Sequence, residues 1–193
     1  MREQIDEING RMTQHQHPRM ALVDFFFKVG IIMSRSLKVQ HWEIVKQTPP
    51  VDKKIAVLVD GPNMLRKEFN VKLEYIREPV ETLGNIVIAK VFLNTFATDR
   101  LLEAIANSGF TPIVTATDIH TTMADEAMDV IATHKVNTLA IASRNARCAP
   151  ILRKAKEKGV ESISIGFEPG FSTALQNASD YVIKIVTGAE QIK

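Results

Sequence analysis

Hydrophobic and polar residues alternate in blocks along residues 52–193, and the blocks predict strands and helices in turn. Ile55–Val59 is a continuous apolar run of strand length, and the other predicted strands are Ile86–Leu93, Thr111–Thr115, Thr138–Ala142, Ser162–Ile165 and Tyr181–Ile185. Helical spacing lies between the strands, at Thr98–Asn107, Thr121–Thr133, Ala146–Lys158 and Ser172–Asn177. Strands that are apolar on both faces and alternate with helices predict an α/β fold with a mainly parallel sheet between two helical layers.

The first 51 residues have a different pattern. Met1–Arg19 is polar, whereas Ala21–Trp42 places apolar residues near helical spacing. Thr48-Pro49-Pro50 then ends any helix, because proline lacks the amide hydrogen and restricts the residue before it. We therefore predict an N-terminal extension over residues 1–51 and a main domain over residues 52–193. The apolar helix would pack on the main domain or on a second copy, giving a homodimer; attachment to a membrane surface is less favoured because its polar face is not richly basic.

The composition is that of an average globular protein. Of the 193 residues, 45% are hydrophobic and 24% are charged, which excludes a disordered, collagen-like or coiled-coil chain. The longest apolar run is broken by Asp24 and Lys28, so it is too short and too charged to span a bilayer. One cysteine, Cys148, excludes a disulfide framework and a cysteine-rich zinc module. Without a convincing signal peptide, we expect a cytoplasmic protein.

The charge distribution limits the partners. The net charge is +2, and residues 1–51 hold seven Lys/Arg and five Asp/Glu, which leaves 17 of each in residues 52–193. A main domain without net charge argues against a strongly electrostatic DNA binder, although a local basic patch is compatible with it.

Polar residues follow each predicted strand, at the edge where an open parallel sheet binds its ligands. In chain order they include Asp60, Asn63, Asn94, Asp118, His120, Ser143, Arg144, Asn145, Arg147, Glu168 and Ser172, with Glu126 further into the helix after His120. Carboxylate oxygens from separate elements suit Mg²⁺ or Mn²⁺, which can generate hydroxide for attack on a phosphodiester. A helix cap or a solvated loop residue is the simpler interpretation of each acid except Asp60, which ends a buried strand; Asn63 either caps a helix or orients a substrate.

Other chemistries are poorly supported. Asp60-Gly61-Pro62-Asn63 lacks the glycine spacing of a dinucleotide site or a P-loop. Ser143 is not in a nucleophile elbow. Cys148 has no assignable His–Asn/Asp partners, so a packed or half-exposed thiol is the better interpretation. His120 and His134 are too isolated in the sequence to indicate a zinc site.

Several of these segments together resemble a known family. Val57-Leu58-Val59-Asp60-Gly61-Pro62-Asn63, Leu139-Ala140-Ile141-Ala142-Ser143, Ile165-Gly166-Phe167 and the segment Ser172–Asp180 are similar to the NYN domain, in the LabA-like branch of the PIN-like nuclease superfamily. The resemblance covers about residues 53–186. It implies a PIN-like three-layer α/β/α sandwich and metal-dependent cleavage of RNA.

The resemblance also assigns roles to individual residues. Asp60 matches the family's first metal-site aspartate and Asn63 its companion asparagine, while Glu126 falls where a second acid is expected. Asp60 and Glu126 would hold Mg²⁺ or Mn²⁺, Asn63 would orient water or phosphate, and His120 stands where many members have another aspartate.

The sequence departs from the family after the fourth strand, where Asn145 and Arg147 replace two aspartates. Arg147 adds a positive charge, and close pairs interact by roughly 4 kcal/mol at an effective dielectric constant near 20. We therefore expect weak metal binding, with Asn145 as a poor ligand. The main hypothesis is a ribonuclease of reduced activity. The alternative is a non-catalytic RNA- or nucleotide-binding module that uses Ser143, Arg144, Arg147 and Ser172; Arg147 could also do no more than pair with a nearby acid.

Overall fold

A computed structural model describes residues 41–44, 53–69, 71–133 and 136–186. Seven strands form one sheet in the order β1-β7-β6-β5-β2-β3-β4. Their bounds are β1 His41–Ile44, β2 Lys54–Asp60, β3 Asn85–Asn94, β4 Thr111–Thr115, β5 Thr138–Ala142, β6 Glu161–Gly166 and β7 Tyr181–Val186. Six strands run parallel, and β1 pairs antiparallel with β7 at one edge. The predicted α/β class and its mainly parallel sheet are confirmed.

Six α-helices connect the described strands. They are α1 Gly61–Met64, α2 Glu74–Glu81, α3 Asp99–Asn107, α4 Ile119–Thr133, α5 Ala149–Glu157 and α6 Thr173–Ala178. Short 3₁₀ turns at Lys67–Phe69 and Ala146–Cys148 precede α2 and α5.

The sheet has an apolar layer on each face, because alternate residues of a strand point to opposite sides. On β2, Ile55, Val57 and Val59 join one core cluster with residues of α2 and α3. Ala56 and Leu58 join the other cluster, with residues of α4, α5 and α6. These clusters form the three-layer α/β/α sandwich that the resemblance implies.

The strand order reverses beside β2. The chain runs from β2 outward to β3 and β4, and then returns to form β5 on the other side of β2 before continuing to β6 and β7. The carboxyl ends of β2 and β5 therefore lie at the switch point of a doubly wound sheet, where such folds bind their ligands.

Two elements differ from the sequence expectation. β1 lies inside the segment predicted as an extension, and its residues His41 and Trp42 form a strand rather than the end of a helix. α2 lies in a stretch for which no element was predicted, and it contains Pro79. The apolar segment Ala21–Met33 and the linker prolines lie outside the described residues. Within the described ranges, no helix combines the length and the apolar character that crossing a membrane requires.

Candidate functional site

Asp60 is a buried carboxylate at the carboxyl end of β2. It continues the strand alternation of Ala56 and Leu58, so it lies on the same side of the sheet as α4 and α5. The residue is 3% exposed, and its Oδ2 accepts a hydrogen bond of 2.9 Å from Ser143 Oγ at the end of β5. Although Asp60 stands at the N-cap position of α1, its side chain makes no capping hydrogen bond. The carboxylate is therefore held by Ser143 rather than used as a helix cap.

Gly61 allows the turn that follows Asp60. A Cβ atom at this position would lie 2.7 Å from the carbonyl oxygen of Phe92 and 2.6 Å from a methyl group of Leu93. A side chain here would push α1 away from β3, so glycine is needed where the backbone passes so close to the neighbouring strand.

His120 and Cys148 lie beside Asp60, although they come from α4 and from the turn before α5. The carboxylate, imidazole and thiol donor atoms all lie within 4.8 Å of one another. His120 Nε2 is 3.3 Å from Asp60 Oδ2, yet both ring nitrogens are buried without a hydrogen-bond partner in the described structure. Burial raises the pKa of the Cys148 thiol to about 12, so at neutral pH it is a protonated, packed thiol, as the sequence favoured.

Arg147 forms a two-pronged ion pair with Asp118. Its Nη1 and Nη2 donate to the two carboxylate oxygens at 2.9 and 3.1 Å. The Asp118 carboxylate also caps α4, because Oδ1 accepts from the backbone N–H of Thr121. That backbone hydrogen bond, followed by the one from Arg147, lowers the pKa of Asp118 to about 2. The simple interpretations of both residues, an acid that caps a helix and an arginine that pairs with it, match the structure.

Asn63 and Ser172 hold the backbone of Arg144 from two sides. Asn63 Oδ1 accepts a hydrogen bond of 2.8 Å from the Arg144 N–H, and the Ser172 N–H donates to the Arg144 carbonyl at 3.1 Å. Ser172 Oγ also caps α6 by accepting from the Leu175 N–H. Asn63 therefore caps no helix. Both residues, which were predicted to contact substrate, fix the loop after β5.

The Arg144 guanidinium packs against two phenyl rings that also contact each other, with ring centroids 4.9 Å apart. Its guanidinium carbon is 4.4 Å from the ring centroids of both Phe69 and Phe167, and its Nη1 donates to the carbonyl oxygen of Pro169. Burial is the main cause that lowers the pKa of Arg144, but an arginine stays charged in a protein. The side chain thus fastens the loops after β5 and β6 to each other.

Asn145 serves as the cap of the turn that it begins. Its Oδ1 accepts a hydrogen bond of 3.0 Å from the Arg147 N–H, and its own N–H donates to Ser143 Oγ. The amide oxygen that the sequence offered as a weak metal ligand is therefore engaged with the backbone.

Glu126 lies away from Asp60. It follows His120 by six residues, which corresponds to about 9 Å along α4. Its carboxylate forms an ion pair with Lys90 in the middle of β3. The structure brings His120 to Asp60 but does not bring Glu126 there, so the two acids predicted to share an ion point to different parts of the sheet.

An open cleft of about 350 Å³ lies in front of Asp60. Its lining includes Asn63, Asn145, Asp118 and His120. It also includes Arg66, a cation that the sequence pattern did not indicate. Phe96, in the loop after β3, is 88% exposed; its N–H donates to Asn94 Oδ1, and Asn94 also lines the cleft. A lone phenylalanine between a strand and a helix gives no pattern in the sequence, and only its exposure reveals it.

The donors around this cleft do not fit the Mg²⁺ or Mn²⁺ that the resemblance implies. Such ions take several oxygen ligands. Asp118 is bound by Arg147 and Glu126 by Lys90. Among the described residues that line the cleft, Asp60 is then the one carboxylate without a lysine or arginine partner. The metal-binding side chains grouped with Asp60 are the imidazole of His120 and the thiol of Cys148, whose nitrogen and sulfur suit other divalent ions better.

Comparison with known proteins agrees with this architecture. An uncharacterized protein of Methanocaldococcus jannaschii is 46% identical over 168 residues, which cover 85% of this chain and 70% of that protein. The crystal structure of a protein of unknown function from Vibrio parahaemolyticus matches with a TM-score of 0.60 and 15% identity, over 72% of this chain and 96% of that chain, and this likeness concerns the fold alone. The NYN domain model matches residues 54–186, from the first residue of β2 to the last of β7, and the chain therefore belongs to the NYN domain family, within the PIN-like nuclease superfamily.

Proposed function

We propose that the protein binds RNA at the cleft in front of Asp60 and that it has largely lost Mg²⁺- or Mn²⁺-dependent cleavage. The observation that carries this proposal is the two-pronged ion pair of Arg147 with Asp118. Arg147 stands where the resemblance to the NYN domain leads us to expect an aspartate, and it neutralises Asp118. A Mg²⁺ or Mn²⁺ site needs several oxygen ligands, and Asp60 is the one carboxylate lining this cleft, among the described residues, without a lysine or arginine partner.

The cleft keeps features that suit RNA. The guanidinium of Arg147 has five N–H donors, of which Asp118 takes two. Its side chain is 60% exposed, so the remaining donors can bind a phosphate. Phe96 offers an exposed ring on which a base can stack. Ser143, Arg144, Asn63, Asn145 and Ser172 act in this proposal by fixing the loop that carries Arg147.

An active metal-dependent ribonuclease is the second candidate, and Asp60 favours it. The carboxylate is buried, oriented by Ser143 and placed at the switch point of the sheet, as a metal ligand would be. Sharing an ion between Asp60 and Glu126 would require Glu126 to leave Lys90 and α4 to move.

Restoring the missing acids distinguishes the two candidates. The wild-type protein, Asn145→Asp/Arg147→Asp and the same double variant with Asp60→Ala are incubated with an end-labelled single-stranded RNA and Mg²⁺ or Mn²⁺. We expect the wild-type protein to slow the migration of the RNA in a native gel, as a bound complex does, without cutting it. We expect the double variant to cut it, and the added Asp60→Ala change to abolish the cutting.

Two results would contradict the proposal. If the wild-type protein cuts the RNA and Asp60→Ala stops it, the second candidate is correct. If no variant binds or cuts RNA, the RNA assignment itself fails. The variant Arg153→Ala removes a positive charge from the exposed side of α5. It shows how much RNA binding changes when a cation is lost outside the cleft.

Three further assignments belong to the same proposal. The segment Ser172–Asp180 supports the LabA-like branch, and the single buried thiol of Cys148 supports a cytoplasmic protein. The apolar segment Phe25–Ile32, in the predicted extension over residues 1–51, is proposed to form a homodimer. Light scattering on a chain that begins at Lys38, and so retains β1, should then give monomers; an unchanged mass would reject the dimer.

A further inference from the structure

The structure groups three kinds of metal-binding side chain at one point, outside the set of acids that the sequence indicated. Asp60 ends β2, His120 lies in the first turn of α4, and Cys148 ends the turn before α5. Their donor atoms lie within 4.8 Å of one another. Asp60 and Cys148 are buried, and the side chain of His120 is 15% exposed.

His120 supplies an independent sign that a ligand is missing. Both nitrogens of its ring are buried, and neither has a hydrogen-bond partner in the described structure. Buried polar atoms without partners are uncommon in folded proteins, and each one calls for an explanation. A bound ion would satisfy the nitrogen that faces Asp60.

The spacing of the imidazole and the carboxylate fits an ion between them. His120 Nε2 and Asp60 Oδ2 are 3.3 Å apart, and they are not aligned as a hydrogen bond. In a tetrahedral zinc site, bond lengths of about 2.0–2.1 Å to nitrogen and oxygen place two such ligands about 3.3 Å apart. The sulfur of Cys148, whose thiol would release its proton to solvent when the ion binds, completes three ligands from three elements.

We propose that Asp60, His120 and Cys148 bind one divalent transition-metal ion of the zinc class. One nitrogen, one oxygen and one sulfur are typical ligands of Zn²⁺ and Co²⁺, whereas Mg²⁺ takes oxygen ligands. Because Asp60 and His120 also line the cleft, the fourth ligand is water or a group that enters the cleft. The proposal concerns metal binding and does not depend on RNA binding or cleavage.

Cobalt absorption tests the proposal directly. The full-length protein is stripped of metal with a chelator and titrated with Co²⁺. We expect one equivalent to bind, with a thiolate-to-cobalt charge-transfer band in the near ultraviolet and visible bands of tetrahedral cobalt, and one equivalent of Zn²⁺ to remove them. Cys148 is the chain's only cysteine, so a charge-transfer band reports on this thiol.

Variants assign the ligands. Cys148→Ser should abolish the charge-transfer band, and His120→Gln should weaken cobalt binding at least tenfold, as loss of a ligand would. Asp125→Asn, on the exposed side of α4, is the matched control and should bind as the wild type does. Circular dichroism of the metal-free variants separates loss of a ligand from loss of the fold.

The histidines of the N-terminal segment could also bind cobalt, so His15→Gln/His17→Gln is tested as well and should keep the band. The proposal is overturned if the wild-type protein gives no charge-transfer band. It is also overturned if folded His120→Gln binds Co²⁺ as tightly as wild type.

Discussion

Arg147 and Asp118 form a two-pronged ion pair across the gap between α4 and the turn before α5, with nitrogen–oxygen distances of 2.9 and 3.1 Å. Asp118 lines the cleft in front of Asp60, and both side chains of the pair are partly open to solvent. The pair cancels a negative charge close to Asp60. The charge of Asp118 is therefore compensated by one exposed cation, Arg147, which can be removed without disturbing a buried group.

Arg147→Ala should increase the affinity of the protein for Mn²⁺. The change leaves Asp118 uncompensated beside Asp60 and so makes the cleft more negative by one charge. At partly exposed positions, the attraction between close charges is a small fraction of its value in a dry interior, so we expect a gain of several-fold. Isothermal titration calorimetry at low ionic strength measures it.

Arg153→Ala is the control for that measurement, because it changes the net charge by the same amount on the exposed side of α5. Equal gains for the two variants would indicate a general charge effect, and the special role of Arg147 would be wrong.

Asp180 should stabilise the folded protein near neutral pH and lose this contribution at acid pH. Burial raises the pKa of its carboxyl, but hydrogen bonds from Lys156 and Ser162 outweigh burial and lower the pKa below its ordinary value. A carboxyl with a lowered pKa in the folded state contributes stability above its unfolded value of about 3.9. This contribution is lost as the pH falls through the lower, folded value.

Asp180→Asn should therefore destabilise the protein at pH 7, and the difference from wild type should shrink as the pH is lowered below about 4. Urea unfolding at a series of pH values measures this. Asp129→Asn makes the same charge change at an exposed position of α4. A difference for Asp180→Asn that stays constant down to pH 2.5 would contradict the prediction.

Most of the sheet could be predicted from the sequence, because buried parallel strands are continuous apolar runs. The run Ile55–Val59 lies within β2, and the run Thr138–Ala142 matches β5. Asp60 could be placed because it directly follows the first of these runs. β1 could not be predicted this way, because its pairing with β7 depends on a contact between distant parts of the chain. α2 has only eight residues and contains Pro79, which weakens its helical signal.

The site was harder to predict than the fold, because its side chains meet only through the packing of helices and turns on the sheet. Lys90 looks like an interruption of an apolar strand, and only the placement of β3 beside α4 shows that it pairs with Glu126. His120 and Cys148 are 28 positions apart, and their meeting at Asp60 depends on how α4 and the turn before α5 pack on β2. Single residues of this kind carry no periodic signal.

Arg144 should be needed for stability rather than for charge. Its planar guanidinium packs against the rings of both Phe69 and Phe167 and also donates to a carbonyl oxygen. A desolvated cation–π contact contributes about 2 kcal/mol or more. Because lysine has no planar group to stack on an aromatic ring, both Arg144→Lys and Arg144→Ala should lower the free energy of unfolding by about 2 kcal/mol or more.

Urea denaturation measures this loss, and the slope of the unfolding free energy against urea concentration should stay unchanged. Arg153→Lys is the matched control, because it makes the same substitution on the exposed side of α5 and should change stability little. If Arg144→Lys is as stable as the wild-type protein, the packing of the planar guanidinium on the two rings contributes nothing.

Phe96 should contribute to RNA binding without contributing to stability. Its ring is 88% exposed beside the cleft, so its removal exposes no core. Stacking of one base on an aromatic side chain is worth about 1–3 kcal/mol, so Phe96→Ala should weaken binding of a single-stranded RNA by roughly 5- to 150-fold. Phe96→Trp should retain the affinity, because indole also stacks with bases. Val87→Ala, near the opposite end of β3, removes a partly exposed apolar side chain away from the cleft and should leave binding unchanged. Fluorescence anisotropy with a labelled RNA measures all three, and equal affinities for Phe96→Ala and wild type would place the RNA elsewhere on the surface.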